Sequence, residues 1–227
     1  MQNEMKSLRR VKGFLTPHKT IPITPWTATS YWKLTPMRFL VLTIGLALFG
    51  IGDGLIIQAG LGNAPWSVLA QGLALSFEIS IGMATFIVGS IVLLLWIPLK
   101  RRVGFATLYN ILLISLFIDL AIHFAPPLDF YPARWGYLLF GIALVGIGSA
   151  LYLTCGLGAG PRDGLMTGLH ERTGVRVGRI RMALELSVLL IGWLLGGTVG
   201  IGTAVFALLI GQSIAISLGV VARATSK

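Results

Sequence analysis

Gly60-Leu61-Gly62-Asn63-Ala64-Pro65-Trp66-Ser67 ends the first long apolar stretch of the chain, and Gly156-Leu157-Gly158-Ala159-Gly160-Pro161-Arg162-Asp163 ends the fourth, 96 residues later. Glycine permits the left-handed backbone that stops a helix, and proline suits the first turn of the next one. Each segment therefore predicts a long helix, a sharp corner and a second, shorter helix. The likeness continues outward without a gap through Arg38/Arg134, Gly52/Gly148, Leu69/Leu165, Gly72/Gly168, Gly104/Gly200 and Thr107/Thr203. Duplication inside an apolar chain is the pattern of membrane transporters built from internal repeats.

Composition sets the solvent. Of 227 residues, 55% are hydrophobic and 11% charged, and the mean hydropathy is +0.85. A soluble domain carries about a quarter charged residues, so this chain needs a lipid bilayer around it. Its net charge of +10 does not point to nucleic acid, because the basic residues lie between the apolar stretches, where the positive-inside rule places them. A single cysteine, Cys155, excludes an internal disulfide and reads as a small core residue.

Six apolar stretches are predicted as membrane-spanning helices, at about 38–59, 80–99, 103–124, 134–155, 180–196 and 199–221. Seven Lys/Arg precede or open the first of them. Basic residues then recur at Lys100-Arg101-Arg102, between Arg162 and Arg181, and at Arg223 and Lys227. The alternate loops carry none. Six crossings with both termini cytoplasmic follow. Each repeat holds three crossings, an odd number, so the second enters from the opposite side. The expected architecture is an all-α membrane protein in a 3+3 inverted repeat. A short half-helix follows the first helix of each repeat, at 65–77 and 161–171, and either re-enters the membrane or lies on it.

The domain plan is a basic, unstructured amino-terminal tail (1–37), repeat 1 (38–124), repeat 2 (134–221) and a short carboxy-terminal tail (222–227). Prolines 17, 22, 25 and 36 break any long helix in the first tail, no secretory signal follows its charges, and it could dock anionic lipid.

The expected site lies between the corners. Asn63, Trp66, Ser67, Arg162 and Asp163 are the candidate substrate-binding residues. Half-helix amino termini attract anionic groups, and Arg162 could hold a carboxylate or phosphate. Asp53, deep in the first helix with no local cation, is the candidate ion-coupling carboxylate. Arg181 and Glu185, one turn apart, read as a structural ion pair. Asp119 reads as interfacial, near His123.

Gly50-Ile51-Gly52-Asp53 also matches the signature of intramembrane aspartyl proteases. The second copy reads Gly146-Ile147-Gly148-Ser149, so these glycines serve helix packing and no enzyme is expected. His18, His123 and His170 lack metal-ligand spacing, and no cofactor fingerprint is present.

Three segments carry a resemblance: the two Gly-Leu-Gly-x-x-Pro corners, Arg172-Thr173-Gly174-Val175-Arg176-Val177-Gly178-Arg179-Ile180-Arg181, and Gly192 to Thr203. Over about residues 37–221 the chain resembles the bacterial YczE-type integral membrane proteins, cousins of the YitT membrane proteins. The resemblance implies a multi-pass protein of a bacterial plasma (inner) membrane and brings no substrate with it. The family often shows Pro-Trp-Asp where this chain has Pro65-Trp66-Ser67. The expected function is a small secondary transporter or exporter of an unidentified small molecule, and a homodimer would help enclose its pathway. The alternative is a non-transporting membrane scaffold or regulator.

Overall fold

A computed structural model describes Pro17 and residues 20–225. His18 and the basic residues before Pro17 lie outside the described residues, as does Lys19. Eight helices and no strands occur among the described residues: α1 (Pro36–Ala59), α2 (Pro65–Phe77), α3 (Ile81–Leu94), α4 (Phe105–Phe124), α5 (Tyr131–Thr154), α6 (Pro161–Thr173), α7 (Val177–Leu194) and α8 (Ile201–Thr225).

Local chemistry sets the boundaries. Thr35 caps α1 by accepting from the Arg38 amide, and Gly60 at φ 61° ends it. Pro65 and Pro161 sit in the first turns of α2 and α6. Ser80 caps α3 by accepting from Met83 N. The chain then turns by 114° between α2 and α3.

Four helices are long and apolar enough to cross a membrane, namely α1, α4, α5 and α8, and the bent pair α2–α3 makes a fifth candidate. Six full-length apolar helices were expected, and two of them fall short for physical reasons. The stretch at 80–99 is helical for only 14 residues before turns carry it to Lys100. At 1.5 Å per residue, 14 residues reach about 21 Å of a roughly 30 Å core. The other, α7, carries Arg179, Arg181 and Glu185 in 18 residues.

The centre is an antiparallel crossing of α1 and α5. A Cβ on Gly45 would meet Gly148 O at 3.0 Å, and one on Gly52 would meet Gly141 O at 2.6 Å. With no side chain at these positions, the backbones touch directly. On another side of α1, Gly50 and Gly54 admit Ile114, Phe117, Ile118 and Ala121 of α4. Large apolar side chains such as Leu112, Leu116, Phe140 and Leu208 face outward, as lipid solvation requires.

Residues 20–35, assigned to an unstructured tail on composition, are folded. The end of α5 leaves carbonyls without helical partners, and this segment supplies donors. Thr27 Oγ1 donates to Thr154 O at 2.9 Å and Ala28 N to Cys155 O at 2.9 Å. Arg38 gathers the segment by donating to the carbonyls of Trp26, Thr27 and Lys33. At the other end of the chain, the residues given to a carboxy-terminal tail continue α8 as far as Thr225.

Candidate functional site

Both corners adopt one backbone path. Gly60 and Gly156 have φ 61° and 65°, and Gly62 and Gly158 have φ 111° and 120°. The residues before the prolines, Ala64 and Gly160, are extended at ψ 148° and 155°. Each corner is latched by a helix distant in sequence. The Leu61 carbonyl accepts from Gly202 N (2.7 Å) at the start of α8, and the Leu157 carbonyl accepts from Ala106 N (3.0 Å) at the start of α4. Arg134 closes the end of α1, with Nε donating to Ala59 O at 2.6 Å and Nη2 to Gly60 O at 2.5 Å.

The first turns of α2 and α6 consequently face one another. The Arg162 guanidinium carbon lies 4.9 Å from the centre of the Trp66 ring, within range of a cation–π contact. One residue on, Ser67 Oγ sits 2.9 Å from Oδ1 and 2.8 Å from Oδ2 of Asp53. Asp53 is 3% exposed and Ser67 2%. Arg162 is within electrostatic reach of both Asp53 and Asp163, so the fold provides the cation that Asp53 lacks along α1. Tyr152, near the end of α5, donates its hydroxyl to Asp163 Oδ2 at 2.9 Å. Asp53, Trp66, Ser67, Arg162 and Asp163 thus form one cluster.

Asn63 serves a different network. Its Nδ2 donates to Gln71 Oε1 at 2.8 Å, the same oxygen accepts from Thr198 N at 2.7 Å, and Asn63 N donates to Thr198 O at 3.1 Å. Asn63 is 0% exposed, and its Oδ1 has no hydrogen-bond partner.

Of the remaining ionisable residues, Arg181 Nε and Glu185 Oε1 lie 2.8 Å apart. Asp119 does not simply face interfacial water. It accepts from Gly82 N (2.7 Å) and Ser80 Oγ (2.6 Å) and so pins the start of α3. Arg101 pairs with Glu171, joining the α3–α4 connection to α6. No group of three His, Cys, Asp or Glu able to hold a metal occurs among the described residues.

Three members were missed by sequence reasoning. Gln71 had a signal, standing four residues beyond Ser67 in an otherwise apolar half-helix. Tyr152 had a weaker one, as a polar tip in an apolar run. Trp96 had none. Its indole donates to Pro161 O at 3.0 Å and fixes the start of α6.

The chain is 46% identical over 206 residues to an uncharacterized protein of Haemophilus influenzae, covering 90% of this chain and 94% of the relative. It is 33% identical over 186 residues to the uncharacterized membrane protein YczE of Bacillus subtilis, covering 80% and 86%. A third relative, the uncharacterized protein YyaS of Bacillus subtilis, is 24% identical over 194 residues, covering 82% and 95%. No solved structure matches the chain. The apolar helices and the similarity to YczE identify a membrane protein of the YczE type. Residues 36–218, a span that includes both corners and every residue of the cluster, match the family of unknown function DUF6198, and the chain belongs to that family.

Proposed function

We propose that this protein is a small secondary transporter or exporter of the bacterial plasma membrane, with both termini cytoplasmic and no catalytic step. In this reading six crossings form a 3+3 inverted repeat, α2 and α6 are the broken half-helices, and one half rocks against the other. The observation that carries the reading is the meeting of Asp53, Trp66, Ser67, Arg162 and Asp163 at the two half-helix starts. Charged groups at membrane depth mark substrate and ion pathways. Support for inversion comes from the antiparallel α1–α5 crossing. Its contacts, Gly45 with Gly148 and Gly52 with Gly141, exchange under the 96-residue shift. The apolar length of α8 is only 17% buried, against 56% for α1, which leaves a surface for a second copy.

Cysteine accessibility tests the reading. With Cys155 replaced by alanine, single cysteines at the exposed positions Ser76, Glu78, Asp163 and His170 are labelled with a membrane-impermeant thiol reagent from each side of sealed vesicles. The expected pattern is labelling of 76 and 78 from outside and of 163 and 170 from inside. Labelling of both pairs from one side means parallel halves and ends the alternating-access argument. If Asp53→Asn and Arg162→Ala instead keep full cellular activity while deletion of residues 2–16, which spares the segment 20–35 that caps α5, abolishes it, the protein acts as a scaffold.

A further inference from the structure

Three long apolar helices end at one place on the molecule. There α1 starts at Pro36, α4 starts at Phe105 and α5 ends at Thr154. The folded segment before α1 joins them. Phe105 N donates to Tyr31 O at 3.1 Å, and Ala28 N donates to Cys155 O at 2.9 Å. With the α3–α4 connection, this segment bounds a cavity of about 520 Å³ whose walls include Thr29, Ser30, Trp32, Arg102 and Gly156. None of these residues belongs to the Asp53–Arg162 cluster.

The walls offer donors and positive charge. Arg101 is paired with Glu171, but the side chain of Arg102 is exposed and has no ion pair or hydrogen bond among the described residues. Thr29 and Ser30 are also exposed, and neither their hydroxyls nor their backbone N–H groups have a hydrogen-bond partner among the described residues. No acid occurs between residues 5 and 52 or between 79 and 118, so both wall segments carry positive charge alone, at Lys33, Arg38 and Lys100 to Arg102. A guanidinium presents parallel N–H groups that match a phosphate, and free hydroxyl and amide donors beside it suit the remaining oxygens.

Location decides where that phosphate comes from. The ends of spanning helices lie at the bilayer surface. Trp32 and Tyr31 are 59% and 45% exposed, and amphipathic rings of this kind are favoured at the headgroup level. Ile23, Leu34 and Met37 on the same stretch are exposed as well. A dissolved anion has no use for such an apolar rim, whereas a lipid places its acyl chains against it. Basic pockets between membrane helices hold acidic headgroups in this way.

We infer that the cavity seats the headgroup of one anionic glycerophospholipid. Arg102 pairs with the phosphate, the donors of Thr29 and Ser30 serve its other oxygens, and Trp32 lies beside the glycerol ester region. This site is separate from the basic residues before Pro17, and it does not depend on the transporter reading.

The test is native mass spectrometry of the purified full-length protein, released from neutral detergent. The probes are dioctanoylphosphatidylglycerol, dioctanoylphosphatidylcholine and inorganic phosphate. The expected result is one phosphatidylglycerol retained per protein at concentrations where phosphatidylcholine is not. Arg102→Gln should weaken retention about fivefold, and Ser30→Glu, which brings a carboxylate to the cavity, should abolish it. Arg179→Gln, which removes an exposed arginine of α7, and deletion of residues 2–16 should both leave retention intact. Equal weakening by Arg179→Gln means a diffuse positive surface and overturns the site. Loss on deletion of residues 2–16 assigns the lipid to the tail and overturns it too. Equal retention of phosphatidylcholine removes the charge selectivity, and displacement of the lipid by equimolar inorganic phosphate makes the cavity a free-anion site. Either result ends the lipid assignment. Monodispersity on gel filtration is checked for each variant, and the phosphatidylcholine and phosphate arms use the unaltered protein.

Discussion

Arg162 lies over the Trp66 ring at 4.9 Å, and the two residues hold the same place in their respective half-helices, each directly after the proline. The contact joins α2 to α6, so Trp66→Leu should loosen both starts at once. A cation–π contact contributes about 0.5–2 kcal/mol. A lower melting temperature is expected for Trp66→Leu in detergent, with Trp66→Phe close to wild type. Equal loss in both variants would mean that the indole acts by volume and not by its face.

Ser67→Ala removes the hydrogen bond to a 3%-exposed carboxylate. Hydrogen bonds to charged groups are worth about 1.5–3 kcal/mol. The expected outcome is a clear drop in thermal stability that Asp53→Leu largely removes in the double variant, because an apolar side chain leaves no buried polar group for the hydroxyl to satisfy. Additive losses would show that the two residues act separately.

Gln71→Leu removes the acceptor shared by Thr198 N, in an exposed turn, and Asn63 Nδ2, on a fully buried residue. A buried, unpaired donor costs about 1–3 kcal/mol, so a lower yield of folded protein is expected. Gln71→Glu keeps an acceptor for both donors and should fold far better. Comparing the two by fluorescence-detected gel filtration is sufficient.

Gly52→Val places its Cβ 2.6 Å from Gly141 O and should force α1 and α5 apart. Overpacking of this kind costs typically about 1–3 kcal/mol. Gly136, on α5 with nothing within 4 Å of its would-be Cβ, is the control. Gly136→Ala should be neutral or stabilising by up to about 1 kcal/mol. Equal melting temperatures for the two variants would refute the close crossing.

The corners were legible because their cause is local. Glycine at 60 and 62, and again at 156 and 158, permits the left-handed turns seen there, and the prolines mark the helix starts at 65 and 161. The expected end of α2 at Phe77 also matches, while α6 runs two residues past 171 to Thr173. Pairings between distant segments were not legible, since no spacing rule connects Asp53 to Arg162 or Trp96 to Pro161. The order of residues 20–35 was hidden for the same reason. It depends on the carbonyls of Thr154 and Cys155, which composition cannot show. The shortness of α3 lay in the backbone turns at 95–100, and Pro98 within them was the helix-breaking signal that the apolar run concealed.

The Leu61 carbonyl is held by Gly202 N, and that bond has a consequence for biosynthesis. The first corner leaves the ribosome early, but its latch is translated about 140 residues later. Until α8 is inserted, the Gly60–Asn63 turn carries an open carbonyl and an unfinished seat for Thr198. The second corner has no such wait, because its donor, Ala106, precedes Leu157 in the chain. Maturation should therefore proceed backwards through the halves, the later corner closing first. A ribosome-stalled chain ending before Ile201 should remain protease-sensitive at Gly60–Asn63 while already protected at Gly156–Ala159.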